Sequence, residues 1–311
     1  MKNFHKKAFS LVEISIVILI IGILIAGISQ GIDLYKDIKL ASARSLTKNS
    51  RVSRIPNLIS WYETTGENIF STGTTSFQDI SAQDGKKINR WKDSNPNSVY
   101  KYDATQTTDA NQPKIIFDKD TSLPIVRFDG NPRYLALPDG TVPYGDSAYT
   151  VIFVSKVDVF GNFGILGSGS YDGKHKTNAF RYQNDGVGNY WWPSPDSYAY
   201  IDVANKLQIL IFDYNKEERF IHINGFFAGS SIIFSSPRER NSTTFNNTIG
   251  LTCVGCSVPE YLVGSIAELI IYDRALSANE REDIEKYLSK KWSIKIGVSD
   301  EWQWSDLWNF Y

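Results

Sequence analysis

The sequence contains few histidines and cysteines, and its net charge is close to zero. Its 311 residues include three histidines and two cysteines, and the formal net charge is −1. Cys253 and Cys256 lie close together without the second pair or the nearby histidines that a zinc site uses. A charge near zero gives no overall attraction to phosphate backbones, so we do not expect binding to nucleic acid.

Motifs of common enzymes are also missing. The sequence has no Gly-x-Ser-x-Gly elbow and no glycine-rich phosphate loop. Glycosidases need two carboxylates placed across the scissile bond. Neither Glu217 and Glu218, in an expected turn, nor Glu301, near the end of the chain, supplies such a pair. We therefore expect a protein that binds or assembles and not an enzyme.

One long apolar run is present, near the N-terminus. Residues 9–28 read FSLVEISIVILIIGILIAGI, with Glu13 as the one carboxylate, and Lys2, Lys6 and Lys7 precede them. About 20 helical residues at 1.5 Å per residue cover the ~30 Å hydrocarbon layer of a bilayer. The lysines predict that the N-terminus stays in the cytoplasm and that everything after the helix is exported.

Glu13 separates three interpretations of this run. A carboxylate inside a membrane span costs about 2.5–3.5 kcal/mol near the bilayer centre, so it calls for a partner. A secretory signal peptide needs a small-residue cleavage site, for which residues 27–29 are a poor match. A plain membrane anchor leaves Glu13 without a role. The third interpretation gives a role to all of these residues.

The segment KKAFSLVEISIVILIIGILIAGI resembles the leader and first helix of type IV pilins and pseudopilins. The resemblance implies that prepilin peptidase removes residues 1–8 by cutting between Ala8 and Phe9, and that Phe9 becomes the N-methylated terminus. It also implies that Glu13 meets the charged terminus of a neighbouring pilin or pseudopilin subunit, so that two costly charges neutralise each other. Ala8 departs from the family pattern, in which a glycine is usual.

The helix is predicted to continue beyond the membrane, from Gly31 to about Arg54. Apolar residues recur there at near-helical spacing, and we expect this stripe to pack on the protein's own globular domain, with a dedicated binding face as the alternative. The stripe consists of Ile28, Ile32, Tyr35, Ile38 and Ala41. Pro56 should end the helix because the residue before a proline leaves the helical region, which gives a helical segment over residues 9–55.

Residues 56–293 have the pattern of a single β domain. Aromatic residues make up 14% of the sequence. Short apolar or alternating runs such as YTVIFVSKV and LQILIFDY are separated by Asp-Gly and Asn-Gly turns, which predicts an antiparallel sandwich. Residues 294–311 form an aromatic tail with Trp302, Trp304 and Trp308. We expect the tail to fold back on the sandwich, with docking to a partner as the alternative.

Several motifs of this domain resemble the laminin-G-like, concanavalin A-like jelly roll. They are NLISWYET, INRWKDSN, PIVRFDGNPRYLAL, RFIHINGFFAG and the closing GSIAELIIYDRALSANEREDIEKYLSKKW. In the closing motif, Ser277 and Glu280 form a capping box for a helix whose apolar face carries Ile284, Tyr287 and Leu288. The resemblance implies a two-sheet sandwich that binds a surface glycan or a protein ligand, often with calcium.

Three groups of side chains are candidates for the site and its support. The densest aromatic cluster consists of Tyr190, Trp191, Trp192, Tyr198 and Tyr200. We expect these rings to fill the sandwich core, and the alternative is that outward rings stack on sugars, for which Tyr190, Trp191, Trp192 and Tyr198 are the candidates. Loop oxygens suited to calcium belong to Asp93, Asp172, Asn184 and Asp185. Cys253 and Cys256 should form a local disulfide, the expected state of two neighbouring cysteines in an exported domain.

Together these features predict a mainly β protein. A long N-terminal membrane-spanning helix is followed by an antiparallel β-sandwich with a short C-terminal helix. We expect a minor or tip pilin-like subunit at the bacterial inner membrane, with its head outside the cytoplasm, because so bulky a head hinders close packing of many copies. Two alternatives stay open: a pseudopilin of a type II-like secretion system whose head recognises cargo, and a membrane-anchored lectin-like protein that does not polymerise.

Overall fold

A computed structural model of the protein describes residues 11–77, 80, 83–173, 175–191, 197–201, 204–232, 246–254, 256 and 258–297. Four predictions fall on residues outside this set. They concern the leader with Ala8, the N-methylated Phe9, the ring of Trp192 and most of the aromatic tail.

Two α-helices lie at the two ends of the described chain. They are α1 (Leu11–Asn49) and α2 (Ala278–Trp292), and short 3₁₀-helices span Val52–Arg54 and Asp109–Asn111. The α-helix therefore ends earlier than Pro56 predicts. The 3₁₀-helix follows it, and Ile55, directly before Pro56, is extended as the proline requires.

The described residues also form 18 strands. In chain order they are β1 (Leu58–Glu63), β2 (Phe70–Thr72), β3 (Thr75–Ser76), β4 (Arg90–Trp91), β5 (Ala104–Thr105), β6 (Lys114–Phe117), β7 (Pro124–Asp129), β8 (Leu135–Ala136), β9 (Tyr149–Val157), β10 (Phe163–Gly167), β11 (Ala179–Gln183), β12 (Gly186–Tyr190), β13 (Ser197–Tyr200), β14 (Gln208–Tyr214), β15 (Glu218–Ile223), β16 (Phe226–Ile232), β17 (Thr248–Ile249) and β18 (Val263–Tyr272).

The strands form two sheets, A and B. Sheet A has the order β16-β15-β14-β9-β18-β7-β6, and β1 pairs with β18 beside this path. Sheet B has the order β13-β12-β11-β10-β17-β8-β5-β4-β2-β3. Every pairing described between named strands is antiparallel. The predicted antiparallel sandwich is thus confirmed.

The central strands of sheet A are buried on both faces, as β9 illustrates. Val151 and Phe153 point into the core between the two sheets, where residues of sheet B such as Phe180 meet them. Ile152 and Val154 point the other way, into a second core beneath the helices. Burial on both faces explains why the strand reads YTVIFVSKV as a nearly continuous apolar run.

The helix α2 covers the outer face of sheet A. Its predicted apolar face is confirmed, since Ile284 and Leu288 are fully buried in the second core. The predicted capping box is also present: the Ser277 hydroxyl accepts from the Glu280 amide, and the Glu280 carboxylate accepts from the Ser277 amide. The β domain therefore carries its closing helix on the side away from sheet B.

The helix α1 meets the β domain only through its last turns. Leu40 and Ala43 are buried, whereas Ile32, Tyr35 and Ile38 are 50%, 52% and 59% exposed. The prediction that the stripe from Ile28 to Ala41 packs on the domain is therefore wrong. Most of α1 projects away from the β domain, so its apolar residues up to Ile38 face solvent in the isolated chain.

Candidate functional site

The outer face of sheet B holds a groove whose floor is the hairpin of β11 and β12. Arg181 of β11 lies opposite Gly188 of β12, which has no side chain. The guanidinium extends beside that gap and lies 4.4 Å from the ring centre of Tyr190. A flat ring and a cation thus occupy neighbouring positions on the floor.

One wall of the groove is the segment from Leu251 to Glu260, which crosses the outer face of β10. Glycines in β10 allow this close approach. A Cβ on Gly164 would lie 2.4 Å from the Thr252 amide nitrogen, and one on Gly167 would lie 2.5 Å from the Thr252 carbonyl oxygen. Side chains at these two positions would push the segment away from the sheet.

Hydrogen bonds and ring contacts join the floor to the walls. Arg181 donates to Glu260 Oε1 at 2.7 Å, and the Thr252 hydroxyl donates to Glu260 Oε2 at 3.0 Å. The Tyr171 hydroxyl donates to the Thr252 carbonyl at 3.0 Å. Its ring stacks on Tyr190 with centres 6.3 Å apart and planes at 28°. The site therefore offers ring surface, donors and acceptors within one groove.

The groove encloses about 580 Å³, within the range of ~300–1,000 Å³ typical of small-ligand sites. Its other described lining residues are Ser170, Asp172, Asn246, Cys253, Val254, Cys256 and Val258. Burial, together with the charge of Glu260, raises the pKa of Tyr171 far above its ordinary value, so its hydroxyl stays a neutral donor. Hydrogen bonding from Ser170 and the ammonium of Lys176 lower the pKa of Asp172, which stays ionised.

Tyr198 extends the same face beyond the groove. Gly188 pairs with Arg181 on one side and with Tyr198 of β13 on the other, so the three positions form one row across the sheet. Tyr198 is 41% exposed and donates to Asp185 Oδ1 at 2.5 Å. Partial burial, together with the hydrogen bond to Asp185, raises the pKa of Tyr198 to about 12. At strand spacings of about 4.8 Å, its backbone lies roughly 10 Å from that of Arg181.

Trp191, a candidate ligand contact, lies in the core, which confirms the expected packing for this ring. Its ring packs edge-on against Tyr214 at 4.9 Å, and the Arg219 guanidinium lies 4.2 Å from it. Its indole nitrogen donates to Asn178 Oδ1 at 3.2 Å. The ring faces sheet A because Trp191 follows Tyr190 in the chain and takes the opposite side. Among the predicted rings, Tyr190 and Tyr198 therefore remain on the outer face.

The oxygens suggested for calcium have separate partners. Asp172 pairs with Lys176 at 3.3 Å, and Asp185 accepts from Tyr198. Asn184 lies in the turn between β11 and β12 with a positive φ of 51°. Asp93 lies elsewhere and accepts from the backbone amides of Trp61 and Asn95. Within the described residues no group of three or more His, Cys, Asp or Glu side chains is placed to hold a metal. Calcium stays a prediction.

The predicted disulfide between Cys253 and Cys256 is confirmed. It closes a loop of three peptide steps directly after Thr252 and lines the groove. The staple therefore limits the freedom of the wall that holds Glu260 near Arg181.

Most lining residues escaped the sequence prediction, among them Tyr171, Arg181 and Glu260. Arg181 and Glu260 are 79 positions apart, so no local pattern joins them. One signal was available, because Arg181 alternates with the apolar Phe180 and Tyr182 in a short strand and must face outward if they face the core.

Comparisons with known proteins support both parts of the chain. Residues 3–29 match the family model of the prokaryotic N-terminal methylation motif. Residues 129–280 match that of the concanavalin A-like lectin/glucanases superfamily. No curated protein matches the sequence.

Solved sialidase structures share the fold. Trypanosoma rangeli sialidase in complex with sialic acid matches with a TM-score of 0.50 and 13% identity, over 76% of this chain and 33% of that one. The covalent intermediate of the same enzyme with 2,3-difluorosialic acid gives the same values. The CBM40 of Ruminococcus gnavus IT-sialidase bound to alpha2,3 sialyllactose gives a TM-score of 0.38 at 16% identity, over 43% of this chain and 80% of that one. The chain spans about a third of the sialidase, and at 13% identity its likeness to that enzyme is one of fold alone.

These findings agree on the organisation of the chain. A segment that matches the N-terminal methylation motif precedes a β-sandwich that matches the concanavalin A-like model. The architecture expected from the sequence is confirmed.

Proposed function

We propose that the protein is a type IV pilin-like subunit of the minor or tip kind, whose head binds a surface glycan or a protein ligand. The observation that carries the proposal is the methylation motif at the start of a helix whose apolar surface no other described part of the protein covers. An 18-residue window of α1 has a mean hydropathy of 2.9 and no buried residue. Such a surface requires a membrane or other apolar helices.

The helix α1 is long enough both to cross a membrane and to contact other subunits beyond it. Its 39 residues extend about 58 Å at 1.5 Å per residue, roughly twice the bilayer core. The stripe of Ile32, Tyr35 and Ile38 lies beyond the apolar run and is exposed. In our proposal this stripe contacts neighbouring subunits after the helix leaves the inner membrane. Glu13 then meets the methylated terminus of Phe9 on a neighbour.

The junction between α1 and the head supports a role in presenting the head. Arg44 donates to the Thr65 carbonyl at 2.8 Å, and Thr47 hydrogen-bonds Tyr287 of α2 at 3.2 Å. Arg51 pairs with Asp283 of α2 at 3.1 Å. These contacts fix the head to the last turns of the helix. The size of the head argues for one or few copies per filament, at the tip or as a minor subunit.

The groove beside the disulfide is the proposed ligand site, and the head binds without catalysing a reaction. Stacked rings with an adjacent Arg–Glu pair suit hydroxyl-rich ligands, because each hydroxyl both donates and accepts. The match of residues 129–280 to the concanavalin A-like lectin/glucanases superfamily supports a carbohydrate ligand. The groove's ionic groups are already engaged, since Glu260 pairs with Arg181 and Asp172 with Lys176.

Two measurements test the assembly part of the proposal. Intact mass of protein from cells that contain prepilin peptidase should give a chain that starts at N-methylated Phe9. Glu13→Ala should still insert into the inner membrane, but its incorporation into filaments should fall at least about tenfold, because two opposite charges no longer pair in a low dielectric.

Ser15→Ala is the matched control, since Ser15 lies about half a turn away on α1 and its hydroxyl donates to the Leu11 carbonyl of the same helix. Unchanged incorporation of Glu13→Ala, or a mature chain that starts at Met1, would contradict the proposal. Filaments confined to the periplasm would identify a pseudopilin instead of a surface pilus subunit.

A further inference from the structure

The charge arrangement of the groove points to the chemical class of its ligand. We infer that the groove takes an uncharged saccharide and discriminates against acidic sugars, with Glu260 as the residue that sets this preference. The inference rests on the proposed role of the head as a glycan-binding domain.

The first argument is that the guanidinium of Arg181 is already engaged. It contacts Glu260 at 2.7 Å and Gln183 at 3.1 Å, and it lies over the ring of Tyr190. The ion pair is largely covered, with 15% of the Arg181 side chain and 20% of the Glu260 side chain exposed. A carboxylate ligand would have to displace Glu260 from Arg181 and leave a half-buried carboxylate without its partner.

The second argument is the charge that an incoming ligand would meet. Of the described lining residues, Asp172 and Glu260 are acidic and Arg181 is basic. The low pKa of Asp172 keeps it ionised at neutral pH. Lys176 pairs with Asp172 at 3.3 Å and Arg181 pairs with Glu260 at 2.7 Å, so the charges at this surface balance. An acidic sugar therefore finds no surplus positive charge there to offset the loss of its own hydration, whereas a neutral sugar needs none.

The third argument concerns hydrogen bonding. The Glu260 oxygens that hold Arg181 and Thr252 retain acceptor capacity, because a carboxylate offers about four acceptor positions. Adjacent hydroxyls of a neutral sugar could accept from the guanidinium and donate to this carboxylate without separating the pair. Ring faces at Tyr171 and Tyr190 would contact the apolar side of the sugar.

The test compares sugars that differ only by a carboxylate. The full-length processed protein, kept in a detergent without a sugar headgroup, is titrated with matched methyl glycosides: glucose and glucuronic acid, galactose and galacturonic acid, mannose and mannuronic acid. We expect at least one neutral sugar to bind, and its acidic partner to bind at least about tenfold more weakly at low salt. An acidic sugar that binds as tightly as its neutral partner overturns the inference and leaves glycan binding intact.

The variant Glu260→Gln tests the assigned residue. It keeps the shape and an acceptor for Thr252 but leaves Arg181 without its carboxylate, so the ratio of acidic to neutral affinity should rise at least about fivefold. Glu282→Gln, an exposed carboxylate of α2, should leave the ratio unchanged. An unchanged ratio in Glu260→Gln overturns the role of this residue. If no sugar of either class binds to the parent protein, the glycan part of the proposed function fails together with this inference.

Discussion

Replacing Lys291 with Met should lower the free energy of unfolding of the β domain by about 3–5 kcal/mol, the cost of removing one partner from a buried ion cluster. Lys291 of α2 is 0% exposed at its side chain and lies 3.1 Å from Glu63 of β1 and 3.0 Å from Glu268 of β18. Its ammonium therefore joins the closing helix to two strands of sheet A. Without it, two carboxylates stay buried with no cation between them.

The remaining hydrogen bonds place a limit on the loss. Each carboxylate keeps three donors after the substitution, so neither becomes fully unpaired. The donors to Glu63 are the Thr65 amide, the Thr65 hydroxyl and the Gly66 amide, and those to Glu268 are the Trp61 indole, the Tyr287 hydroxyl and the Trp292 indole. For a domain of this size the expected loss corresponds to a melting temperature lower by roughly 6–20 °C.

The pH dependence gives a second signature. In the parent protein, burial raises the pKa of Glu63, but Lys291 and Thr65 more than offset it, so the pKa lies below its ordinary value of 4.5. In Lys291→Met burial is no longer opposed by the ammonium, and the pKa of Glu63 should rise. The parent loses stability when acid protonates Glu63, because the ion pair with Lys291 is lost. In the variant the same protonation removes an uncompensated buried charge and therefore raises stability. The difference between them should be largest near about pH 7 and shrink toward about pH 4.

Denaturant titration followed by tryptophan fluorescence measures this difference, since the indoles of Trp61 and Trp292 contact the cluster. Lys290→Met is the matched control, because Lys290 is the exposed neighbour in the same helix turn. A loss in Lys291→Met no greater than that in Lys290→Met, or one independent of pH, would refute the reasoning.

Three further predictions concern the helix α2 and the groove wall. Burial raises the pKa of Glu285 to about 7 from its ordinary 4.5, so the parent loses stability as the pH rises through that range. Glu285→Gln should be up to about 3 kcal/mol more stable than the parent near pH 8 and as stable as the parent near pH 4. Denaturant titration at each pH measures the difference. Ser277→Ala should cost about 1 kcal/mol in the same assay, and an unchanged value would count against the capping box. Gly164→Val should make the disulfide segment more sensitive to limited proteolysis, because the new Cβ would lie 2.4 Å from the Thr252 amide nitrogen. Gly31→Val is the control, since no neighbouring side chain lies within 4 Å of its Cβ. Equal protection of the segment in both variants would contradict the close approach.

Several elements could be predicted from the sequence because their signals are local. The apolar run with Glu13 defines a membrane-length helix by composition alone. The run YTVIFVSKV coincides with β9 (Tyr149–Val157). A nearly continuous apolar run of nine residues is typical of a strand that is buried on both faces. The capping box at Ser277 fixes the start of α2 within four residues of sequence.

Other features depend on contacts between distant segments. Because Tyr190 and Trp191 are adjacent, their side chains point to opposite faces of the sheet, but the sequence does not show which face meets the core. The structure shows that Trp191 points inward, where it packs against Tyr214 of sheet A. In β18 the pairing register shifts between Ile266 and Glu268, and this shift turns the Glu268 carboxylate toward the helices, where it lies 3.0 Å from Lys291. No local sequence pattern predicts either outcome.

The sequence alone determined the architecture of this protein: a methylation motif and an apolar helix of membrane length, then a β-sandwich closed by a capped helix. It did so because helix length, strand alternation and capping are properties of neighbouring residues. Only the tertiary structure decided that α1 leaves its stripe exposed and that Arg181 meets Glu260 across 79 positions. Both depend on how packed layers bring remote residues together, and burial within those layers, not the local sequence, sets which side chains remain for a ligand.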